Sequence, residues 1–283
     1  MTAAPLLLHV DGTFHEPDAP LVSALDHGIT VGDGVFETCE LLDGRTFALT
    51  RHLARLSRSA EGLGLEPPEE GRVRDAVAAV EQRWREQGGG LGRLRITWTA
   101  GPGPLGSDRT PGSGTLIVAA GPTRAPGPVR VVVVPWVRNE RSAIAGLKTT
   151  SYAENVVALA HAQQRGAREA IFANTRGELC EGTGTNVFVE RDGAILTPPL
   201  DSGCLAGVTR ALVLEWAADA GIEVREQTLP LAAIHEAEHA ALTSSTRGMT
   251  PIAAVDDREL QPGPLTLRMA EEFDRRSREQ LDP

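Results

Sequence analysis

LKTTSYAENVVALAHAQQRG, residues 147–166, contains the only lysine of a 283-residue chain and places it just ahead of a helix. Ser151 followed by Glu154 has the spacing of a capping box, in which a hydroxyl and a carboxylate each satisfy a backbone N–H at a helix start. The spacing predicts a helix over 151–165, with Lys148 outside its first turn and after the loop NERSAIAG. All other strongly basic side chains are arginine. A lone amine ahead of a helix is by itself an ordinary surface lysine, and its surroundings decide whether it is more.

Those surroundings lie downstream. Glu181 follows a strand-like run in ELCEGTGTNVF, residues 178–188. CLAGVTRALVLEW, residues 204–216, puts Gly207, Val208 and Thr209 at a helix start, where free N–H groups and the helix dipole favour a phosphate. A second small-hydroxyl turn occurs in TSSTRG, residues 243–248. An amine, a carboxylate and two phosphate-binding turns form the set that a pyridoxal-phosphate (PLP) enzyme needs.

The rest of the chain mixes strands and helices without a strict βαβ rhythm. GPTRAPGP, residues 121–128, is dense enough in Pro and Gly to read as a linker. It separates an N-terminal α+β domain, 1–120, from a C-terminal α/β domain, 129–283, so the predicted class is α+β with two domains. Before the linker the pattern predicts strands in LLLHVDGTF, VFETCELLDGRTFAL (with an Asp43-Gly44 turn) and GRLRITWTAG, and helices over 51–62 and 69–87. After it come strands in EAIFANTRGELCEG and NVFVERDGAILTP, a helix over 207–220, strands in IEVREQTL and AALTSS, and a final helix.

Composition narrows the function classes. With 41% apolar and 23% charged residues the chain is a folded, soluble type, and a formal charge of -10 with no basic run argues against nucleic acid. MTAAPLLLHVDGTFHEP has neither the basic start nor the long apolar run of a signal or membrane segment, so the expectation is a cytoplasmic protein. Cys39, Cys180 and Cys204 are odd in number, far apart and without CxxC spacing, as ordinary buried thiols would be. HEAEH, residues 235–239, matches the zinc-protease pattern, which would make the chain a metalloprotease. A zincin helix should be long. Here the strand-like AALTSS begins right after His239, and the candidate third ligand, Glu259, sits in an apparent hairpin, so no metal site is expected.

The motifs, taken together, resemble the fold-type IV PLP enzymes, which comprise the branched-chain aminotransferases, D-amino-acid transaminases and aminodeoxychorismate lyases. The matching segments, in family order, are DHGITVGDGVFET, RHLARL, LKTTSYAENV, LCEGTGTNVF, CLAGVTR and TSSTRGMTPI, and they span nearly the whole chain. The resemblance implies PLP as cofactor and Lys148 as its Schiff-base lysine and proton carrier. It implies that Glu181 keeps the pyridine nitrogen protonated. Arg55, the backbone of Val208 and Thr209, and Ser245 and Thr246 would hold the phosphate, while Leu205 packs on the ring and Tyr152 lies near the phenolic oxygen. Phe36, Arg95 and Arg247 would face the substrate. A homodimer, with its active site at the domain boundary and near the partner subunit, is implied as well.

Family resemblance alone does not choose the reaction. Relatives acting on D-amino acids typically carry an Arg where this chain has Ala100, and branched-chain enzymes carry an Arg at Arg95 but commonly an aromatic at Val31. The turn STRG and the wording of GDGVFET and SYAENV resemble aminodeoxychorismate lyases. The expectation is therefore a lyase forming p-aminobenzoate and pyruvate, with an amino-acid aminotransferase as the alternative.

Overall fold

The computed structural model describes residues 6–123 and 127–283. The chain divides into two compact units, Met1–Ala125 with Leu147–Tyr152 and Gln280–Pro283, and Pro126–Gly146 with Ala153–Glu279. The first division falls inside the expected linker, of which residues 124–126 lie outside the described residues. A single cut does not describe the chain, however. The lysine segment and the last four residues return to the first unit.

In the first unit the chain runs β1 (Leu7–Val10), β2 (Thr13–His15), α1 (His27–Thr30), β3 (Gly34–Leu42), β4 (Arg45–Thr46), α2 (Leu49–Gly62), α3 (Glu70–Glu86), β5 (Gly92–Thr99) and β6 (Thr115–Pro122). The six strands form one antiparallel sheet, ordered β2-β1-β6-β5-β3-β4. Asp43 and Gly44 both take positive φ, 49° and 72°, which is the primed hairpin turn their sequence predicts. Strand parity assigns the faces: Val35 and Leu41 of β3 with Leu94 and Ile96 of β5 pack against Leu53, Leu56, Val73, Val77 and Trp84 of the two helices. The returning C-terminus holds the start of α2, with Ala48 N donating to Leu281 O at 2.7 Å and Thr50 N to Asp282 Oδ1 at 2.9 Å.

In the second unit the order is β7 (Val129–Arg138), α4 (Ala153–Gln164), β8 (Glu169–Asn174), β9 (Leu179–Gly182), β10 (Asn186–Arg191), β11 (Ala194–Thr197), α5 (Val208–Asp219), β12 (Val224–Glu226), α6 (Ala232–Glu236), β13 (His239–Ser244), β14 (Gly248–Val255), β15 (Arg258–Glu259) and α7 (Pro264–Glu279). Nine strands form a mixed sheet in which β7 is parallel to β8 and β14. A pairing of Asn186 with Glu181 joins β9 to β10, so β10-β13-β14-β7-β8-β9 closes on itself. Every residue of β8 is buried, as expected of a strand covered on both sides.

Two local expectations need correction. The capping box does not form: Ser151 Oγ donates to Gly32 O at 3.0 Å, Thr150 Oγ1 donates to the same carbonyl at 2.9 Å, and the helix starts only at Ala153. The two hydroxyls tie the lysine segment to the GDG turn instead, where Gly32 takes a φ of +68°. The second correction concerns β14, an eight-residue strand that the pattern reading passed over because Gly, Thr and Pro dominate its first half.

Candidate active site

In the first unit the site is organised by one ridge of α2. His52, Arg55 and Ser59 recur at helical spacing, so they point the same way, and all three are buried. Glu37 of β3 meets this ridge. Arg55 gives it a two-pronged contact, Nε to Oε1 at 2.8 Å and Nη2 to Oε2 at 2.6 Å, and His52 Nδ1 lies 2.7 Å from Oε2. Glu37 has no solvent exposure. Burial by itself would raise its pKa, but the Arg55 guanidinium, by charge and by hydrogen bonding, together with His52, holds it well below the usual carboxylate range. Burial keeps His52 neutral by lowering its pKa. Since an ionised carboxylate can only accept, Nδ1 of His52 carries the proton.

Ser59 completes the ridge by accepting the Lys148 N–H at 3.2 Å. The lysine segment then runs along the edge of β3, with Phe36 N donating to Lys148 O at 3.0 Å and Thr150 N to Gly34 O at 2.8 Å. Across the sheet from the helices, Phe36 is the centre of a cluster. Lys148 Nζ sits 4.4 Å from its ring centroid, the Arg95 guanidinium 3.7 Å, and Tyr152 packs edge-on at 5.3 Å. Register explains this, because Thr38 pairs with Arg95 and Phe36 with Thr97, which puts all four on one face. The structure thus gathers Phe36, Arg95, Lys148 and Tyr152, and sets Arg55 on the helix side of β3, engaged by Glu37.

In the second unit Glu181 of β9 accepts the Leu205 N–H at 2.9 Å, and its Oε1 lies 3.2 Å from Arg138 Nε. Arg138 also pairs with Glu154 and lies over the Phe172 ring at 4.2 Å. Leu205 is held in turn by its carbonyl, which accepts from Asn186 Nδ2 at 2.8 Å. Asn186 approaches Gly207 so closely that a Cβ there would lie 2.0 Å from its Oδ1, so a larger residue would displace the Asn186 amide. Gly207 begins α5 without a side-chain cap, leaving the first N–H groups of the helix, at Val208 and Thr209, for an anion. The hydroxyls of Thr185 and Thr243, close to Asn186 in the strand pairing, are buried without partners. Beyond β13 come half-buried Ser245 and buried Thr246.

Arg247, expected to face the substrate, is partly exposed and engaged within its own unit. Its Nη2 donates to Glu169 Oε2 at 2.7 Å, and its Nε to Ser244 Oγ at 3.2 Å. HEAEH is split between elements. His235 is in the five-residue α6, which ends at Glu236, whereas His239 opens β13 with Nδ1 2.8 Å from Gln261 O, so the two imidazoles do not share a helix face. Glu259 is exposed in the β14–β15 hairpin. Among the described residues no three His, Cys, Asp or Glu side chains gather as a metal site. None of the described helices is long and apolar enough to cross a membrane.

Glu37, His52, Ser59, Arg138 and Glu169 escaped the sequence reading. The signals were present, as a polar row at helical spacing in α2 and as a carboxylate on the buried face of the apolar strand VFETC. Removing one partner of so buried a pair costs about 3–5 kcal/mol. Glu37→Gln should therefore lower the unfolding free energy by about that amount at neutral pH. A depressed carboxylate pKa contributes stability above the ordinary Glu value of about 4.3, and that stability is lost as the pH falls through the folded-state pKa. The difference between wild type and variant in urea melts should therefore shrink on acidification, and a pH-independent difference would refute the ion-pair account.

Comparison with known proteins identifies the family. A family model described as amino-transferase class IV matches residues 34–255. The bifunctional aminodeoxychorismate lyase / D-amino acid transaminase of Mycobacterium tuberculosis is 31% identical over 295 residues, covering 95% of this chain and 98% of the relative. Among solved structures, the branched-chain aminotransferase of Thermoproteus uzoniensis with norvaline superposes with a TM-score of 0.86 at 31% identity, covering 95% of this chain and 93% of that one. A "hypothetical aminotransferase" from Mycobacterium tuberculosis in its PLP-bound form gives 0.85 at 30% identity, covering 95% and 97%.

Proposed function

This chain belongs to the class IV aminotransferase family of PLP-dependent enzymes, and from that premise we propose that it is a 4-amino-4-deoxychorismate lyase. The observation that carries the reading is that the Lys148 amine and the Arg95 guanidinium both lie over the Phe36 ring, 4.4 and 3.7 Å from its centroid. A guanidinium over the same ring as the reactive lysine would suit a substrate carboxylate. Two positions favour the lyase among the family's reactions. Ala100 is buried where relatives acting on D-amino acids carry a gripping Arg, and Val31 stands where branched-chain relatives commonly carry an aromatic ring. Both are smaller than the side chains those relatives carry.

The residues present fit the cofactor. Lys148 supplies the amine, Glu181 a carboxylate fixed from two sides, Arg55 a cation, and the uncapped α5 start with the Ser245–Thr246 turn N–H and hydroxyl donors for a phosphate. When bound, PLP withdraws electrons from the carbon that loses a proton. Glu181 would hold a proton at the ring nitrogen, and Leu205 would pack on the ring. Arg95 orients a substrate carboxylate, and Lys148 moves the proton: it takes one from the amine-bearing ring carbon as the C–O bond on the neighbouring ring carbon breaks, and delivers one to the departing enolpyruvate, which leaves as pyruvate. The same lysine suffices for transamination. A branched-chain type aminotransferase is the second reading, favoured by Arg95, since the branched-chain enzymes it resembles carry an arginine there. A homodimer belongs to the same reading and is supported by the solvent-facing Leu25, Ile29, Val31 and Leu105 of the first unit.

The test gives the purified enzyme aminodeoxychorismate in one reaction, and L-leucine or D-alanine with 2-oxoglutarate in others. Production of p-aminobenzoate and pyruvate is expected. Brisk glutamate formation without p-aminobenzoate would make it an aminotransferase and defeat the lyase reading.

A further inference from the structure

We propose that Glu169 and Arg247 act as one brace that sets the Ser244–Arg247 turn for the cofactor's phosphate, so that Arg247 is a positioning residue and not a substrate contact. The inference rests on the reading that Ser245 and Thr246 hold that phosphate. Glu169, whose side chain is 5% exposed, opens the fully buried strand β8. A carboxylate so placed can only accept, and it must find donors or pay a large desolvation cost. It finds three. Oε1 accepts from the Gly184 N–H at 3.1 Å and from the Thr183 hydroxyl, and Oε2 accepts from Arg247 Nη2 at 2.7 Å.

Each of these donors is anchored. Thr183 N donates to Ala170 O at 3.0 Å, and the Thr183 carbonyl accepts the Asn155 side-chain amide at the start of α4. Arg247 folds back on its own turn, Nε to Ser244 Oγ at 3.2 Å and N to Ser244 O at 3.3 Å, while its carbonyl accepts Thr250 Oγ1 at 3.0 Å. The brace therefore ties the segment that follows Glu181 to the turn containing Ser245 and Thr246. Swinging Arg247 out to a substrate would strand the Glu169 charge in the interior, which a buried ion pair resists.

The test uses apoenzyme prepared from the purified holoenzyme, with Arg247→Met, Glu169→Gln and the double variant. Dissociation constants are measured for PLP and for pyridoxal, which lacks the phosphate. Each single variant should weaken PLP about tenfold, equivalent to about 1.4 kcal/mol, and leave pyridoxal unchanged. The double variant should be no worse than either single, since residues acting as one unit are non-additive. Arg247→Lys, which keeps the charge but loses the fork, should fall between and serves if the Met variant does not fold. Wild-type PLP affinity in Arg247→Met, coupled to a raised KM for the carboxylate substrate and a silent Glu169→Gln, would show Arg247 touching substrate and overturn the brace. Equal losses for PLP and pyridoxal would reduce it to a general structural contact and overturn it too. A wild-type protein that binds no PLP would defeat the cofactor reading itself, and the brace with it.

Discussion

Lys148→Ala loses turnover, and sodium borohydride then traps no covalent link between protein and cofactor. The expectation follows from the chain having one lysine, so that no second side-chain amine can take its place. Its main chain is fixed by Ser59 and by β3, and its amine lies 4.4 Å from the centroid of the Phe36 ring. Loss of a positioned proton carrier alone costs about 10²–10⁴-fold in rate, and loss of the covalent attachment adds to that. Peptide mapping of the reduced wild-type protein is the decisive measurement. An adduct on the amino terminus, the only rival amine, or undiminished turnover in the variant, would remove Lys148 from the mechanism.

Glu181→Gln should retain the cofactor but lose roughly 10²–10³-fold in kcat, the scale on which one preorganised electrostatic contact to a developing charge acts. The amide still accepts the Leu205 N–H that the carboxylate accepts at 2.9 Å, so the local turn survives. What goes is the negative charge that keeps a ring nitrogen protonated. The contrast with the phosphate side makes the test specific, because the brace variants weaken cofactor affinity, whereas this one is expected to leave it within a few-fold of wild type. Near-normal kcat in Glu181→Gln, with the cofactor bound, would refute the assignment.

HEAEH shows how a short motif depends on context. Five letters allow two imidazoles to share a helix face, but the sheet claims the second histidine: Glu190 pairs with His239 in the β10–β13 ladder, so the chain is extended from that residue onward. The sequence signal for this was the apolar run behind it. Ser151 and Glu154 are a subtler case, since their spacing is that of a cap, yet the Gly32 carbonyl lies where both hydroxyls of Thr150 and Ser151 reach it. Local propensity was overridden by a partner more than a hundred residues away.

By itself the sequence determined the chemistry's inventory and the order of most elements. A unique lysine, a carboxylate after a strand, glycine at a helix start and alternating apolar strands are local patterns, and local patterns are what side-chain period and backbone propensity encode. Strand parity even assigns Phe36 and Arg95 to one face once the β3–β5 register is known. Register, however, comes from pairing between distant segments, and so do the groups that hold the functional residues in place. Only the tertiary structure committed Arg55 to Glu37 and Arg247 to Glu169, and only it returned the lysine segment to the first unit. The physical reason is burial. A charge taken out of water must find its partner wherever the fold puts one, and those partners lie 18 and 78 residues away along the chain.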